Sequence, residues 1–212
     1  MVNILLVRHA FSITNKAGCF TGRLDVPLDD IGRSQAILLS EYLRSNYKID
    51  AIYSSDLSRV IDTVKPLSDS LGININLDPL LRETNIGRWQ GKTVSEIAGV
   101  EPELVEEMKK EPYYFRFPEG ECESEVYQRA IASLSKIVSE NEGKTVVIAT
   151  HGGIIRSLLR KFLNVPPDKT DLIPLVNNAS VTVIEYENGI YTPRQIGADS
   201  FLKDISTAHI FK

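Results

Sequence analysis

The chain has 212 residues, 42% of them hydrophobic and 25% charged, which suits one globular domain with a sizeable core. A net charge of −4 argues against nonspecific binding to nucleic acid or to an anionic membrane, so affinity for an anion has to be local. No apolar run approaches the roughly 20 residues of a bilayer span. Met1-Val2-Asn3 lacks a signal-peptide pattern, and Cys19 and Cys122 fit incidental thiols in a reducing compartment. A cytoplasmic protein is expected.

Ile4-Leu5-Leu6-Val7 is apolar on both faces and ends abruptly in Arg8-His9-Ala10, which predicts a strand buried between helical layers. Phe11 to Pro27 is polar and irregular, contains Thr21-Gly22-Arg23, and reads as a functional loop. Asp29-Asp30 and Gly32 open a helix whose expected apolar stripe is Ile37, Leu38, Tyr42 and Leu43. Ile49–Ser54 reads as a second strand, leading through Ser55 and Asp56 to Arg59. A helix from about Leu57 carries Val60, Ile61, Val64, Leu67 and Leu71 and ends at Gly72, with Pro66 expected to kink or shorten it. Ile73–Leu77 alternates like a strand.

Leu81–Gly91 is a loop holding the only tryptophan, Trp89, expected to pack rather than bind. Thr93 to about Lys110 is charged with helical tendency, and Pro112, Tyr113, Tyr114 and Phe115 follow. The region at about 84–120 reads as a lid whose aromatics suit a substrate with an apolar or ring portion. Phe117–Glu121 makes a turn, and a helix from about Ser124 to Ser139 turns Val126, Ile131, Leu134, Ile137 and Val138 inward. Val146–Thr150 is a third buried strand, ending in His151-Gly152-Gly153, where a helix through Phe162 begins. Ser180–Tyr186 and Tyr191–Ile196 flank Glu187-Asn188-Gly189 as a hairpin, and the tail from Ser200 is unassigned, with His209 read as structural. The pattern predicts an α/β fold, a three-layer α/β/α sandwich with a mostly parallel central sheet, in a single domain over 1–212.

If the three buried strands are parallel neighbours, two histidines and two arginines meet at the carboxyl edge, where open α/β sheets bind ligands. Arg8 and Arg59 offer bidentate donors matched to phosphate oxygens. Gly152 and Gly153 start a helix, so their N–H groups add an anion site. A neutral histidine can attack phosphorus, and nearby arginines keep it neutral. Glu83, in a loop with Ile86 and Trp89, is a candidate proton donor to the leaving group. His151, if protonated, would stabilise charge on the moving phosphoryl group. Residue types alone leave open whether His9 or His151 attacks. For Arg23, Arg82, Arg88 and Arg156 the expected role is surface pairing.

The chain resembles the histidine phosphatase superfamily in its phosphoglycerate-mutase-like branch. The resemblance rests on Leu6-Val7-Arg8-His9-Ala10 with Asn15, Thr21-Gly22 with Leu28 and Gly32, and Ser54-Ser55 with Arg59 and Thr63. It continues through Leu81-Arg82-Glu83 with Gly87, Trp89 and Gly91, Pro118 with Gly120-Glu121 and Arg129, and Thr150-His151-Gly152-Gly153. It implies that His9 is the nucleophile, that Arg8, Arg59 and His151 form the phosphate pocket, and that Glu83 is the general acid and base. Asn15, Thr21, Gly22 and Gly152 fall at substrate-binding positions, and neither cofactor nor metal is implied. Ala10 replaces the usual glycine, and Phe11 and Ser12 replace an acid and a threonine, which alters contacts next to the nucleophile. The short 84–120 region resembles small phosphatases acting on α-ribazole phosphate, phosphoserine or a broad range of esters. A cofactor-dependent phosphoglycerate mutase is the alternative; a metal-dependent hydrolase and a non-catalytic phosphate-binding relative are competitors of other classes. The expected partner is a small-molecule phosphate ester, with no nucleic acid and no membrane; a homodimer stays open.

Overall fold

A computed structural model describes residues 1–205; His209 lies outside the described residues. Strands β1 (Val2–Arg8), β2 (Ala51–Ser54), β3 (Ile75–Leu77), β4 (Thr145–Thr150), β5 (Val181–Glu187) and β6 (Ile190–Ala198) form one sheet in the order β3-β2-β4-β1-β5-β6. β3, β2, β4 and β1 run parallel; β5 is antiparallel to β1, and β6 to β5. The three strands expected to be neighbours are neighbours. Arg8 pairs with Thr150, and Ser54 with Ala149, so His9, Ser55 and His151 leave the sheet at the same edge.

The helices are α1 (Ile13–Ala17), α2 (Asp30–Asn46), α3 (Ser58–Leu71), α4 (Val94–Val100), α5 (Pro102–Lys110), α6 (Glu123–Glu140) and α7 (Gly152–Phe162). Side-chain alternation along a strand assigns the two faces of β1 to two cores. Ile4 and Leu6, with Val146 and Ile148, pack under Leu134 and Ile137 of α6 and Ile155 and Leu158 of α7. Leu5 and Val7, with Val147 and Ala149, pack against Leu39 and Leu43 of α2 and Val60 and Val64 of α3. Each such side chain contributes about 1.5–3 kcal/mol when fully buried, so the central strands are the firmest support available to a site.

Several expectations shift. Of the expected stripe Leu43 is buried and Leu38 and Tyr42 pack against the core, but Ile37 is 53% exposed, because the buried face of α2 is centred on Ala36, Leu39 and Leu43. Pro66 does not shorten α3, which runs to Leu71 and closes on Gly72 in the left-handed conformation. The polar loop after β1 contains α1, capped by Ser12 and Asn15 in a reciprocal capping box. Asn188 and Gly189 both have positive φ, as a two-residue hairpin turn requires, and this places Glu187 opposite Ile190. In the 84–120 region α4 and α5 gather around a small core of their own, with Trp89, Ile97, Val105 and Phe115 buried together. Phe115 therefore belongs to that core, while Tyr114 is 67% exposed. Among the described residues no helix is long and apolar enough to cross a membrane.

Candidate active site

His9 follows β1 directly, and its backbone is fixed from three sides. Its N–H donates to Thr150 O at 2.9 Å, and its carbonyl accepts from Ala179 N at 3.2 Å and Asn178 Nδ2 at 2.9 Å. The ring Nδ1 lies 2.8 Å from Ala10 O. A carbonyl only accepts, so Nδ1 carries the proton and Nε2 keeps its lone pair. Burial holds the His9 imidazole well below its ordinary 6.5, and Arg59 and then Arg8 push it further down. His9 is thus held neutral, with the proton on Nδ1 and the lone pair on Nε2.

Ala10, in place of a glycine, is fully buried and gives its N–H to Thr63 Oγ1 at 2.8 Å, so the turn survives the methyl group. Phe11 joins the core, its N–H held by Gln35 Oε1, and its carbonyl would lie 1.9 Å from a Cβ on Gly32. Gly32 lets α2 approach the loop carrying His9.

Arg59 is fully buried near the start of α3. Its Nη1 donates to Leu24 O at 2.7 Å, and its Nη2 donates to Gly22 O at 2.8 Å and to His151 Nδ1 at 3.2 Å. Arg8 Nη1 donates to Val176 O at 2.6 Å. In both guanidinium groups the Nε–H is buried without a partner. A buried bare donor is costly, and these two belong to the cations whose charges act on His9. Burial lowers both arginines, and Glu83 opposes it in each case, yet guanidinium stays charged.

The rings of His9 and His151 stand edge to face, 5.2 Å between centroids. Arg59 has only donors, so His151 Nδ1 accepts, and the proton on Nε2 goes to Ser55 Oγ at 3.0 Å. Burial, Arg59 and His9 all hold the His151 imidazole well below 6.5. The role expected of His151 is conditional on its protonation, and its contact with Arg59 leaves it neutral.

Glu83 sits opposite, its Oε1 accepting from Thr84 N at 2.8 Å and its Oε2 from Gly153 N at 3.2 Å. This corrects the expectation that both glycine N–H groups await an anion: the N–H of Gly153 already holds the carboxyl group. A Cβ on Gly153 would come within 2.3 Å of Glu83 Oε1. Behind Glu83 lies a frame of alternating charge. Arg129 Nη2 and Arg23 Nε donate to Glu83 O at 3.0 and 3.2 Å, and Arg129 Nη1 donates to Arg82 O at 2.6 Å. Arg23 and Arg129 pair with Glu121 Oε1, at 2.7 and 2.9 Å respectively, and Glu121 Oε2 accepts from Asn85 N. Burial alone would raise the Glu121 carboxyl, but Arg129, the Asn85 N–H and Arg23 together hold it below its usual range.

The remaining expected residues divide. Gly22 acts through its carbonyl, behind Arg59, and with φ +52° it admits no side chain: a Cβ would lie 2.6 Å from Gln90 Oε1. Thr21 Oγ1 is 2.7 Å from Thr14 Oγ1. Asn15 Oδ1 is taken by Ser12 and Asn178. Gly152 adjoins Arg8, whose Nε would be 3.3 Å from a Cβ there. Arg23, Arg82 and Arg88 pair with Glu121, Asp56 and Glu101. Sequence reasoning overlooked Asn178 and the carbonyl of Val176, which reach the site from the turn before β5. The antiparallel pairing of β5 with β1 was the missing link.

This constellation can be set against known proteins. The profile of the Histidine phosphatase superfamily (branch 1) matches residues 4–198. The chain belongs to this superfamily. Among curated relatives, Phosphoglycerate mutase-like protein 4 of Arabidopsis thaliana is 34% identical over 160 residues, 74% of this chain and 70% of the relative. Probable phosphoglycerate mutase GpmB of Yersinia pestis is 31% identical over 187 residues, 88% of this chain and 86% of the relative. Among solved structures, Bacillus stearothermophilus YhfR superposes with a TM-score of 0.91 at 31% identity, covering 96% of this chain and 100% of that one. A mycobacterial glucosyl-3-phosphoglycerate phosphatase superposes at 0.84 with 27% identity, covering 93% and 99%. The histidine phosphatase fold therefore extends past the motif region, through the β5–β6 hairpin.

Proposed function

We propose that this protein is a phosphatase that hydrolyses small-molecule phosphomonoesters through a phosphohistidine on His9. The observation that carries the reading is the state of His9: neutral, Nδ1 occupied by Ala10 O, with the charges of Arg59 and Arg8 acting on it. In the first step His9 Nε2 attacks phosphorus, the N–P bond forms as the ester P–O bond breaks, and the proton on Glu83 passes to the departing oxygen. In the second step the Glu83 carboxylate takes a proton from water. The water oxygen then attacks phosphorus, the N–P bond breaks, and inorganic phosphate leaves with His9 restored. Arg8 and Arg59 neutralise the transferring oxygens, and His151 borders the same group as a neutral partner. The reading needs no metal for this charge. A single domain with a lid at about 84–120 and a cytoplasmic location belong to the same proposal.

His9→Ala tests it. Turnover of p-nitrophenyl phosphate and covalent labelling by a ³²P-ester should both vanish, and activity near wild type would reject the assignment. Glu83→Gln should slow alkyl phosphates by about 10²–10⁴-fold and aryl phosphates far less, because a good leaving group needs little protonation.

The names of the curated relatives favour a second reading, phosphoglycerate mutase, in which the phosphoryl group returns to a hydroxyl of the bound acid. Incubation with 3-phosphoglycerate and 2,3-bisphosphoglycerate separates the two: isomerisation outpacing phosphate release would favour the mutase.

A further inference from the structure

Gln35 sits on the buried face of α2, beside Ala36, and is itself fully buried. A buried amide is costly unless both of its ends are bonded. Its Oε1 accepts from Phe11 N at 2.9 Å, and its Nε2 donates to Ile205 O at 2.8 Å. A backbone N–H only donates and a carbonyl only accepts, so the amide fits one way round. Ile205 closes the segment Ser200–Ile205, which packs along α2 and whose Leu202 is buried in one cluster with Ala10 and Ala36.

Phe11 N–H belongs to the same peptide group as Ala10 O, the atom that meets His9 Nδ1 at 2.8 Å. That group is planar and trans, so its N–H and its carbonyl point opposite ways, and fixing one fixes the other. The preceding peptide is held independently, its N–H by Thr63 Oγ1 and its carbonyl by Asn178 Nδ2. Gln35 is therefore what aims the Ala10 carbonyl at the imidazole. The bonds run in series: His9 Nδ1–H to Ala10 O, Phe11 N–H to Gln35 Oε1, and Gln35 Nε2–H to Ile205 O. Each bond polarises the next group, which makes Ala10 O a stronger acceptor and enriches the lone pair on His9 Nε2.

We propose that Gln35 is a positioning residue for the nucleophile: through the Ala10–Phe11 peptide it keeps the proton of His9 on Nδ1 and the lone pair on Nε2. This role rests on the phosphatase reading, in which Nε2 attacks phosphorus. The chain has three histidines, so the imidazole signals of ¹⁵N-labelled protein are few, and His9→Gln identifies those of His9. Without substrate at neutral pH, wild-type His9 should show a protonated Nδ1 and a bare Nε2. Gln35→Met keeps the length of the side chain but offers Phe11 N–H no acceptor, so the two nitrogen shifts should converge as the tautomers mix. With p-nitrophenyl phosphate, kcat should then fall roughly tenfold at nearly unchanged KM, the effect of one lost hydrogen bond. Gln35→Glu, ionised or not, still offers an oxygen to Phe11 N–H and should recover most of both readouts. Gln35→Asn, one methylene shorter, cannot span Phe11 and Ile205 and should shift the tautomer in the same direction as Gln35→Met, which keeps the test open if the methionine variant folds poorly. An unshifted tautomer in the methionine and asparagine variants, or equal losses in the methionine and glutamate variants, overturns the role of Gln35 and leaves the phosphatase standing. A wild type that turns over no ester overturns the phosphatase reading, while the tautomer, read without substrate, still decides whether Gln35 sets the proton.

Discussion

Arg59 Nη2 donates to His151 Nδ1 at 3.2 Å, and that bond decides the charge of the histidine. A donor-only partner excludes a proton from Nδ1, so the second histidine of the site is neutral until something displaces the contact.

Stability should follow from this. His9 and His151 are both held well below 6.5 in the folded protein, whereas in the unfolded chain they titrate normally. Their contribution is complete above about pH 6.5 and is lost as pH falls below it, because only the unfolded state takes up the protons. Each histidine contributes a slope of up to about 1.4 kcal/mol per pH unit. Urea unfolding between pH 7 and 5.5, a range in which most carboxylates stay ionised in both states, should show the decline, and His151→Gln should reduce it. A flat profile would refute the neutral pair.

Gly153→Ala isolates the acid. The new methyl group meets the end of the Glu83 side chain at 2.3 Å, so the carboxyl moves while the backbone does not. Alanine is also the better helix former by roughly 1 kcal/mol, so the melting temperature should hold. Hydrolysis of glycerol 3-phosphate should fall by about 10²-fold or more, with p-nitrophenyl phosphate much less affected. Equal losses on both esters would detach Glu83 from the leaving group.

Glu121→Ala removes the acid shared by Arg23 and Arg129, whose side chains are 30% and 12% exposed. Stranding two partly buried cations should cost about 2–3 kcal/mol in denaturant unfolding. Because both arginines also hold Glu83 O, the ratio of alkyl to aryl turnover should drop as well. A purely structural frame would lower stability without moving that ratio.

The Arg8 and Arg59 guanidinium charges beside His9 predict an affinity for inorganic phosphate. At a hundred times its Kd, phosphate should stabilise the wild type by about 2.7 kcal/mol, read as a rise in melting temperature. Arg59→Ala should abolish the rise. Retention of it would place the anion elsewhere.

The apolar runs ending in Arg8-His9 and Thr150-His151 are legible by themselves, because strands buried on both faces declare themselves as continuous hydrophobic segments, whereas β2, which alternates half-buried and buried, is the weaker signal. The meeting of His9, Arg59 and His151 could be stated only on the condition that the three strands are parallel neighbours, which the order β2-β4-β1 meets. The exposure of Ile37 could not: it differs from the buried Ala36 by one position, and only the packing of α2 against α3 chose between them. Nor could the sequence assign protons. The tautomer of His9 depends on Ala10 O, the neutrality of His151 on Arg59, and the seat of Glu83 on Gly153 N, all of them contacts a few ångströms long between segments distant in the chain. Residue type determined which chemistry was available; folding decided which atoms were left free to perform it.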